Sequence, residues 1–436
     1  MLDVVAGRLL DPGVVIIEGD RIVATQSRPP DPLPTNAVRV DAAGLTLVPG
    51  LIDLAVEAVP GAGIDTDFLY SLGLAFGVTG YRSIDARLPW TVQQRERIAR
   101  GVVLAPRLWV AGPLVTSGDA TWGSPAARDS VTATFASRAE DVGQAVARQA
   151  AAGTDWVRLA DDVPADAVAR AVSVARRSRV RISAGAGGTS MLQLIQLGVD
   201  AIDGLGAPIR SLTASDVDST ATVETSGETV MQNAWLEASR ADLDALATRL
   251  AKSRTAVAPM LRVAGEAVLP PRQGRLASEL ALLPEPLRQA RIRQLDRRRA
   301  TDSGRSRTGR AWEARQRFVR MAARAGARIV AASGARADGW PAAGLALHHE
   351  LALLVDSGVD PAVALRAATS RAAEILGAGT SLGQVRPGFG ADCFAVEGDP
   401  LTDVAALQRV RFVVRGGELL DREQLLARAR RAAGGR

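Results

Sequence analysis

The rhythm of apolar and polar positions changes twice along this chain. Over the first 47 residues the short apolar runs VVAGRLL, GVVIIEGDRIVAT and AVRVDAAGLTLV are separated by DPG, by the SRPPDPLP turn cluster and by AAG. That pattern predicts short antiparallel strands. From residue 48, apolar strand patterns alternate with Ala/Arg/Leu-rich stretches, the texture of a parallel α/β sheet. The strands expected are VPGLIDLAV, FGVTGYRSID, RLWVAGPLVT, TDWVRLA, VRISAGA, VDAIDGL, TAVAPML and ARIVAAS. Eight such strands are the number that closes a barrel. Between them, segments such as AEDVGQAVARQAAAG, PADAVARAVSVARRS, ADLDALATRLAKS and WEARQRFVRMAARAG repeat their apolar residues at helical spacing, most of them stopping at Gly or Ser.

Residues 262–314 are richer in Pro, Arg and Leu than in strand signals, and are expected to form a helical insertion near the barrel mouth. Two helices, LALHHELALLVDSG and DPAVALRAATSRAAEILG, follow the last strand. The chain then returns to short strands in SLGQVRPGFGADCFAVEGDPL and RFVVRGGELLD, which supply a partner for the N-terminal sheet. The expected organisation is therefore an α/β chain with a composite β-sandwich from residues 1–47 and 381–436, and a barrel over 48–380.

Composition narrows the function. With 436 residues, 47% of them hydrophobic, the chain can bury a large core. Nothing approaches eighteen uninterrupted apolar residues, and the start, MLDVVAGRLLDPG, lacks a basic head and an apolar segment. No membrane partner and a cytoplasmic location are expected. The single cysteine, Cys393, sits in an apolar strand pattern and reads as packing. Lys+Arg number 53 against 47 Asp+Glu, and Lys252 is the sole lysine, so the basic residues are arginines that cannot form a Schiff base. Arginine runs at 288–310 and in the tail contain no aromatic residue. They read as a solvated helix face and a tail, and no nucleic acid is expected.

Five segments, in their order and spacing, resemble the amidohydrolase superfamily, closest to its imidazolonepropionase-like and prolidase-like branch. They are VPGLID at 48–53, FGVTGYR at 76–82, LGVDAIDG at 197–204, ELALLVDSGVDPAVALRAATSRAAEILG at 350–377 and GQVRPGFGADCFAVEGDPL at 383–401. The resemblance covers nearly the whole chain and implies a distorted (β/α)8 TIM barrel with a small sandwich. It also implies one or two divalent metals at the C-terminal mouth, held by histidines, a carboxylated lysine or glutamate, and an aspartate. At the His-x-His position this chain has Ala55 and Glu57. Strand four offers Arg158 in place of lysine or glutamate, and strand five offers Ser183 in place of histidine. Strand six gives Asp203 followed by Gly204, and strand eight gives Gly334 where the family has aspartate. The metal centre implied by the family looks dismantled, so no metal and no cofactor are expected.

The two histidines offer no replacement. His348 and His349 are adjacent, about 100° apart on a helix, and the fold places that helix outside the barrel, where surface packing or capping is expected. Lys252 ends a helix, away from a bridging position.

Strand ends still bring charge together: Glu57, Arg82, Asp85, Arg158, Asp161 and Asp203. Arg158 either pairs with Glu57 in the former metal space, or the two point apart with water between them. As an active site, Glu57 would be the base and Arg158 the anchor for an anion, with Arg82 and Asp203 next, although strand alternation can turn Asp203 outward. Ser183 lacks a histidine base and reads as a ligand contact. Trp122 and Trp340, in the loops after strands three and eight, either line a pocket with Arg336 and Asp338 or roof those loops. Three functions compete: a pseudoenzyme binding a small molecule in the barrel mouth, a metal-independent lyase, isomerase or cyclase acting on a small anion, and a hydrolase with unconventional ligands. A homodimer is compatible with the resemblance, though no sequence feature selects it.

Overall fold

A computed structural model describes all residues except 12, 62–63, 119–132, 214–215, 217–222, 271–272, 302–304 and 434–436. Its centre is a set of parallel strands: Leu51–Val56, Val78–Ser83, Arg107–Val110 continuing as Leu114–Thr116, Trp156–Leu159, Arg181–Ala184, Ala201–Asp203, Ala256–Ala258 and Arg328–Ile329. These are the eight barrel strands that the apolar pattern predicts. They divide into a three-stranded and a seven-stranded sheet, the latter including an extra strand, Ala133–Phe135. Single parallel bridges join the two sheets, Ala111 to Trp156 on one side and Val56 to Ala335 on the other. Leu54 N–H donates to Ala331 O at 3.2 Å and Glu57 N–H to Ala335 O at 2.8 Å across the second junction. The barrel is distorted there, joined by isolated contacts where a regular ladder would run.

Ile52, Leu54, Trp156, Ala201 and Val330 fill the barrel interior, and helix Ser370–Leu376 closes its lower end with Ala372, Ala373 and Ile375. Outside, helices such as Ala139–Ala151 and Ala165–Ser178 turn their Val and Ala stripes onto the strands. The segment expected to be a helical insertion is helical: Leu261–Ala264, Gly274–Leu280, Glu285–Thr301 and Arg305–Arg324.

The terminal segments meet. Leu45–Pro49 pairs antiparallel with Cys393–Glu397, which pairs with Val410–Arg415 and then Glu418–Asp421. The hairpin Val14–Glu18 and Arg21–Gln26 packs Ile22 onto Val385, Ala391, Cys393 and Val414. Cys393 is buried, and burial pushes its thiol up to about 12, so it packs as an apolar group. No helix among the described residues is long and apolar enough to cross a membrane.

Candidate functional site

The C-terminal ends of strands one, two, four and six carry the ionic residues expected there, and the fold brings four of them into one chain of alternating charge. Arg82, on strand two, donates from Nη2 to Asp203 Oδ1 at 2.7 Å and from Nε to Leu54 O at 2.6 Å. Its guanidinium carbon lies 4.9 Å from the ring centre of Trp156. Arg158, on strand four, donates from one nitrogen to both carboxylate oxygens of Asp85 at 2.9 Å. Arg158 Nε lies 3.4 Å from Asp203 Oδ2. Asp203 thus stands between two guanidiniums and points into the barrel, because Ala201 and Asp203 share one face of a three-residue strand.

Of the two alternatives for Arg158 and Glu57, pairing or pointing apart, the pair does not form: Arg158 pairs with Asp85. Asp85 takes that partner because it sits just past strand two with φ +52°, a left-handed turn that aims its carboxylate back across the mouth. Glu57 turns instead to the loop after strand eight: Oε2 accepts from Ala337 N–H at 3.3 Å, and Oε1 lies 3.7 Å from Arg336 Nε. Burial, reinforced by the Asp85 charge and opposed by Arg336, pushes Glu57 up to about 7. Asp161 is pushed to about 7 by burial and by Asp162, and Asp53 to about 6 by burial. Asp203 behaves oppositely: burial would raise it, but Arg82 and Arg158 outweigh burial and hold it below the usual carboxylate range. Burial also works against the Arg158 cation, and Asp85 and Asp203 more than offset it.

Several buried atoms here have no hydrogen-bond partner in the protein: Ser183 Oγ, Asp161 Oδ1, Asp203 Oδ2, Arg158 Nε and Ser83 Oγ. Ser183 is fully buried beside Arg158 in register. These atoms lie at or just past the ends of strands two, four, five and six, and a buried polar atom without a partner costs stability until water or another polar group completes it.

The remaining expected residues separate. Trp122 lies outside the described residues. Trp340 is 2% exposed, with the Arg262 guanidinium carbon 4.8 Å from its ring centre. Its indole N–H donates to Glu266 at 2.7 Å. Asp338 accepts from Trp340 N–H at 3.1 Å and from Arg291 at 2.8 Å. Lys252 ends helix Arg240–Lys252, as expected.

The histidines are a correction. His348 and His349 do not pack on the surface; they are 2% and 1% exposed. Their helix, Leu345–Asp356, is buried along nearly its whole length because the insertion covers its outer side. His348 Nε2 lies 2.8 Å from Phe76 O, and burial depresses its pKa to about 3, which keeps it neutral. His349 Nδ1 lies 2.6 Å from Glu279 Oε1. Glu279 in turn accepts both a 2.6 Å and a 2.8 Å bond from Arg262, which is fully buried. Sequence reading missed this cluster. Its signal was a charged residue inside each of two apolar stretches, PMLRVAG and LASEL.

The metal of the resembled family does not fit these residues. At the positions of its ligands stand a methyl group, a carboxylate held by the strand-eight loop, a guanidinium and a hydroxyl. The strand-eight position, Gly334, has φ +68°, and a Cβ there would lie 2.6 Å from Val263 and 2.9 Å from Met260. An aspartate at that point would need the Val263 and Met260 side chains to shift and would hold a left-handed φ that favours glycine. Among the described residues no group of three or more His, Cys, Asp or Glu could hold a metal ion.

The comparisons with known proteins agree on ancestry. The amidohydrolase family model matches residues 92–420. The chain belongs to the amidohydrolase family. No curated protein matches it by sequence. Among solved structures it is similar to a prolidase complexed with N-methylphosphonate-L-proline, at 18% identity and TM-score 0.65, covering 93% of this chain and 94% of that one. It is similar also to bottromycin amidohydrolase, at 21% identity and TM-score 0.66, covering 95% and 85%. Ochratoxinase of A. niger matches at 17% identity and TM-score 0.62, covering 93% and 90%. At these identities the likeness is one of fold.

Proposed function

We propose that this member of the amidohydrolase family is a pseudoenzyme that binds a small molecule at its barrel mouth and does not carry out metal-dependent carbon–nitrogen hydrolysis. One observation carries the reading: the Arg82–Asp203–Arg158–Asp85 chain lies across the strand ends where the family's metal ligands would stand. Two permanent cations repel a dication, and the carboxylates that could bind one are already engaged by those cations. The orphan atoms Ser183 Oγ, Asp161 Oδ1 and Arg158 Nε favour a polar ligand in the same space.

A second reading is favoured by Glu57. A carboxyl that titrates at about 7 beside Arg336 is suited to general acid–base work on a small anionic substrate, in a lyase, isomerase or cyclase reaction that needs no metal. A hydrolase with unconventional ligands is the third and least supported, since it would have to strip Glu57, Asp85 or Asp203 from its present partners.

Plasma mass spectrometry of the unchelated protein tests the first reading. Zinc, manganese, iron, cobalt and nickel together should fall below about 0.1 per chain. About one per chain would overturn it. Loss of turnover in Glu57→Gln, against any metal-independent activity found by screening, would move the balance to the second reading.

A further inference from the structure

The insertion contains a site that the barrel chemistry does not use. On helix Glu285–Thr301, the residues Leu287, Ala290, Arg291 and Gln294 fall at i, i+3, i+4 and i+7 and so share one face. That face looks across at Asp338 and Trp340, in the loop after strand eight, and encloses a cavity of about 260 Å³. The helix supplies an apolar floor at Leu287 and Ala290, extended by Leu283, and a cationic edge at Arg291.

Arg291 is held rather than free to wander. It donates to Gln294 Oε1 at 2.8 Å and to Asp338 Oδ2 at 2.8 Å, and its guanidinium carbon lies 5.7 Å from the Trp340 ring centre. Its other N–H groups have no protein partner among the described residues. Among the described residues Asp338 is the carboxylate that pairs with this cation, and Glu266 accepts from Trp340 and Arg262. Burial pushes the Arg291 pKa below its ordinary value, with Asp338 and Glu266 opposing and Arg336 adding to the depression. A fixed guanidinium with spare donors at the edge of an apolar floor is the recognition pattern for a carboxylate on a small hydrophobic body.

We propose that this cavity, between the insertion and the loop after strand eight, is a binding site additional to the Arg82–Asp203–Arg158–Asp85 chain, for small carboxylic acids with an apolar body about the size of one ring. The carboxylate would take the unpaired N–H groups of Arg291, and the body would lie on Leu283, Leu287 and Ala290. The cavity stands whether the barrel mouth proves to be a plug, a catalytic site or a metal site.

Calorimetric titration of the full chain with 3-phenylpropanoate and with its neutral amide tests this. The acid should bind roughly tenfold or more tighter than the amide, and Ala290→Trp, which fills the cavity from an exposed helix position, should weaken the acid roughly tenfold or more. Equal affinity for acid and amide overturns the proposal, as does an unchanged affinity in Ala290→Trp or the absence of binding up to roughly 10 mM. Arg158→Met, which alters the barrel mouth and not this cavity, should leave the affinity for the acid unchanged; a loss of roughly tenfold or more in that variant would place the acid in the mouth and overturn the proposal even if Ala290→Trp folds poorly.

Discussion

Two buried ionic clusters lie within one barrel and are finished to different degrees. Around Arg262 most donors and acceptors are spent, Glu350 Oε1 excepted: the two terminal branches and Nε of Arg262 reach Glu279 and Glu266, its backbone N–H reaches Glu350 Oε2 at 2.6 Å, and Glu279 also meets His349. Around Arg158 and Asp203 the pairing is partial. Arg158 Nε and Asp203 Oδ2 approach to 3.4 Å without a hydrogen bond, and Ser183 Oγ and Asp161 Oδ1 have none. A saturated network in a dry interior ties structure together, whereas an unsaturated one costs stability and persists where another atom can complete it. The first cluster clamps the insertion to helix Leu345–Asp356; the second is the candidate site.

Removing one cation from each cluster should separate them most sharply. Arg262→Met leaves Glu279 as a fully buried charge with His349 and the Ala342 N–H as its partners among the described residues, so it should cost about 3–5 kcal/mol of unfolding free energy. Arg158→Met should cost less, about 1–3 kcal/mol, because Asp203 keeps Arg82 and the Arg158 side chain is already 17% exposed. Urea unfolding of both variants measures the difference. Equal losses would mean that the mouth network is as structural as the clamp, and the contrast would fail.

The pH dependence of stability gives the next effect. Glu57 and Glu350 are raised from 4.5 to about 7, Asp161 from 3.8 to about 7 and Asp53 from 3.8 to about 6, each chiefly by burial. A carboxyl raised in the folded state binds its proton more tightly there than in the unfolded chain. Its contribution is therefore complete below the ordinary value and is lost as pH rises to about 7. Asp203 and Glu279 are lowered, so their contribution is lost in the opposite direction, as pH falls below the ordinary carboxylate values of 3.8 and 4.5. Stability should accordingly peak near about pH 5 and decline toward pH 8. Glu57→Gln should remove about 1–2 kcal/mol of that decline. Thermal unfolding from pH 4 to 8 checks it; a flat profile, or an unchanged slope in the variant, would contradict the burial of these carboxyls.

The legibility of the two clusters differed for a physical reason. Barrel strands announce themselves because each is an apolar run that ends where the chain leaves the sheet, so VPGLID and WVRLA gave both the element and the place where Glu57 and Arg158 emerge. What a strand pattern cannot give is the partner. Arg158 chose Asp85 over Glu57 because of a left-handed turn at φ +52°, a backbone state carried by no side-chain pattern. The histidines were misplaced for a related reason. A helix reads as outer when its partner is the barrel alone, and here the insertion covers His349 through Glu279 while Phe76, at the end of helix Thr66–Ala75, covers His348. Contacts made by an insertion of irregular helices leave no periodic trace.

Ser183 offers the smallest and most discriminating change. Its hydroxyl is fully buried, stands next to Arg158 in register, and faces Asp203, which it helps to hold ionised, without closing a well-formed hydrogen bond. If the unsaturated cluster is only an imperfect plug, removing that hydroxyl relieves a desolvation cost, and Ser183→Ala should be neutral or stabilising by up to about 1 kcal/mol. If the cluster holds a polar ligand, the same change should leave the ligand-free protein as stable and lower ligand-induced thermal stabilisation, since a donor has been removed from the site. Thr369→Ala is the matched control, because its buried hydroxyl donates to Leu365 O at 2.7 Å and its loss should destabilise by about 0.5–1.5 kcal/mol. Should Ser183→Ala cost as much as Thr369→Ala, the hydroxyl is bonded in solution, and the division between a finished clamp and an unfinished site would have to be redrawn.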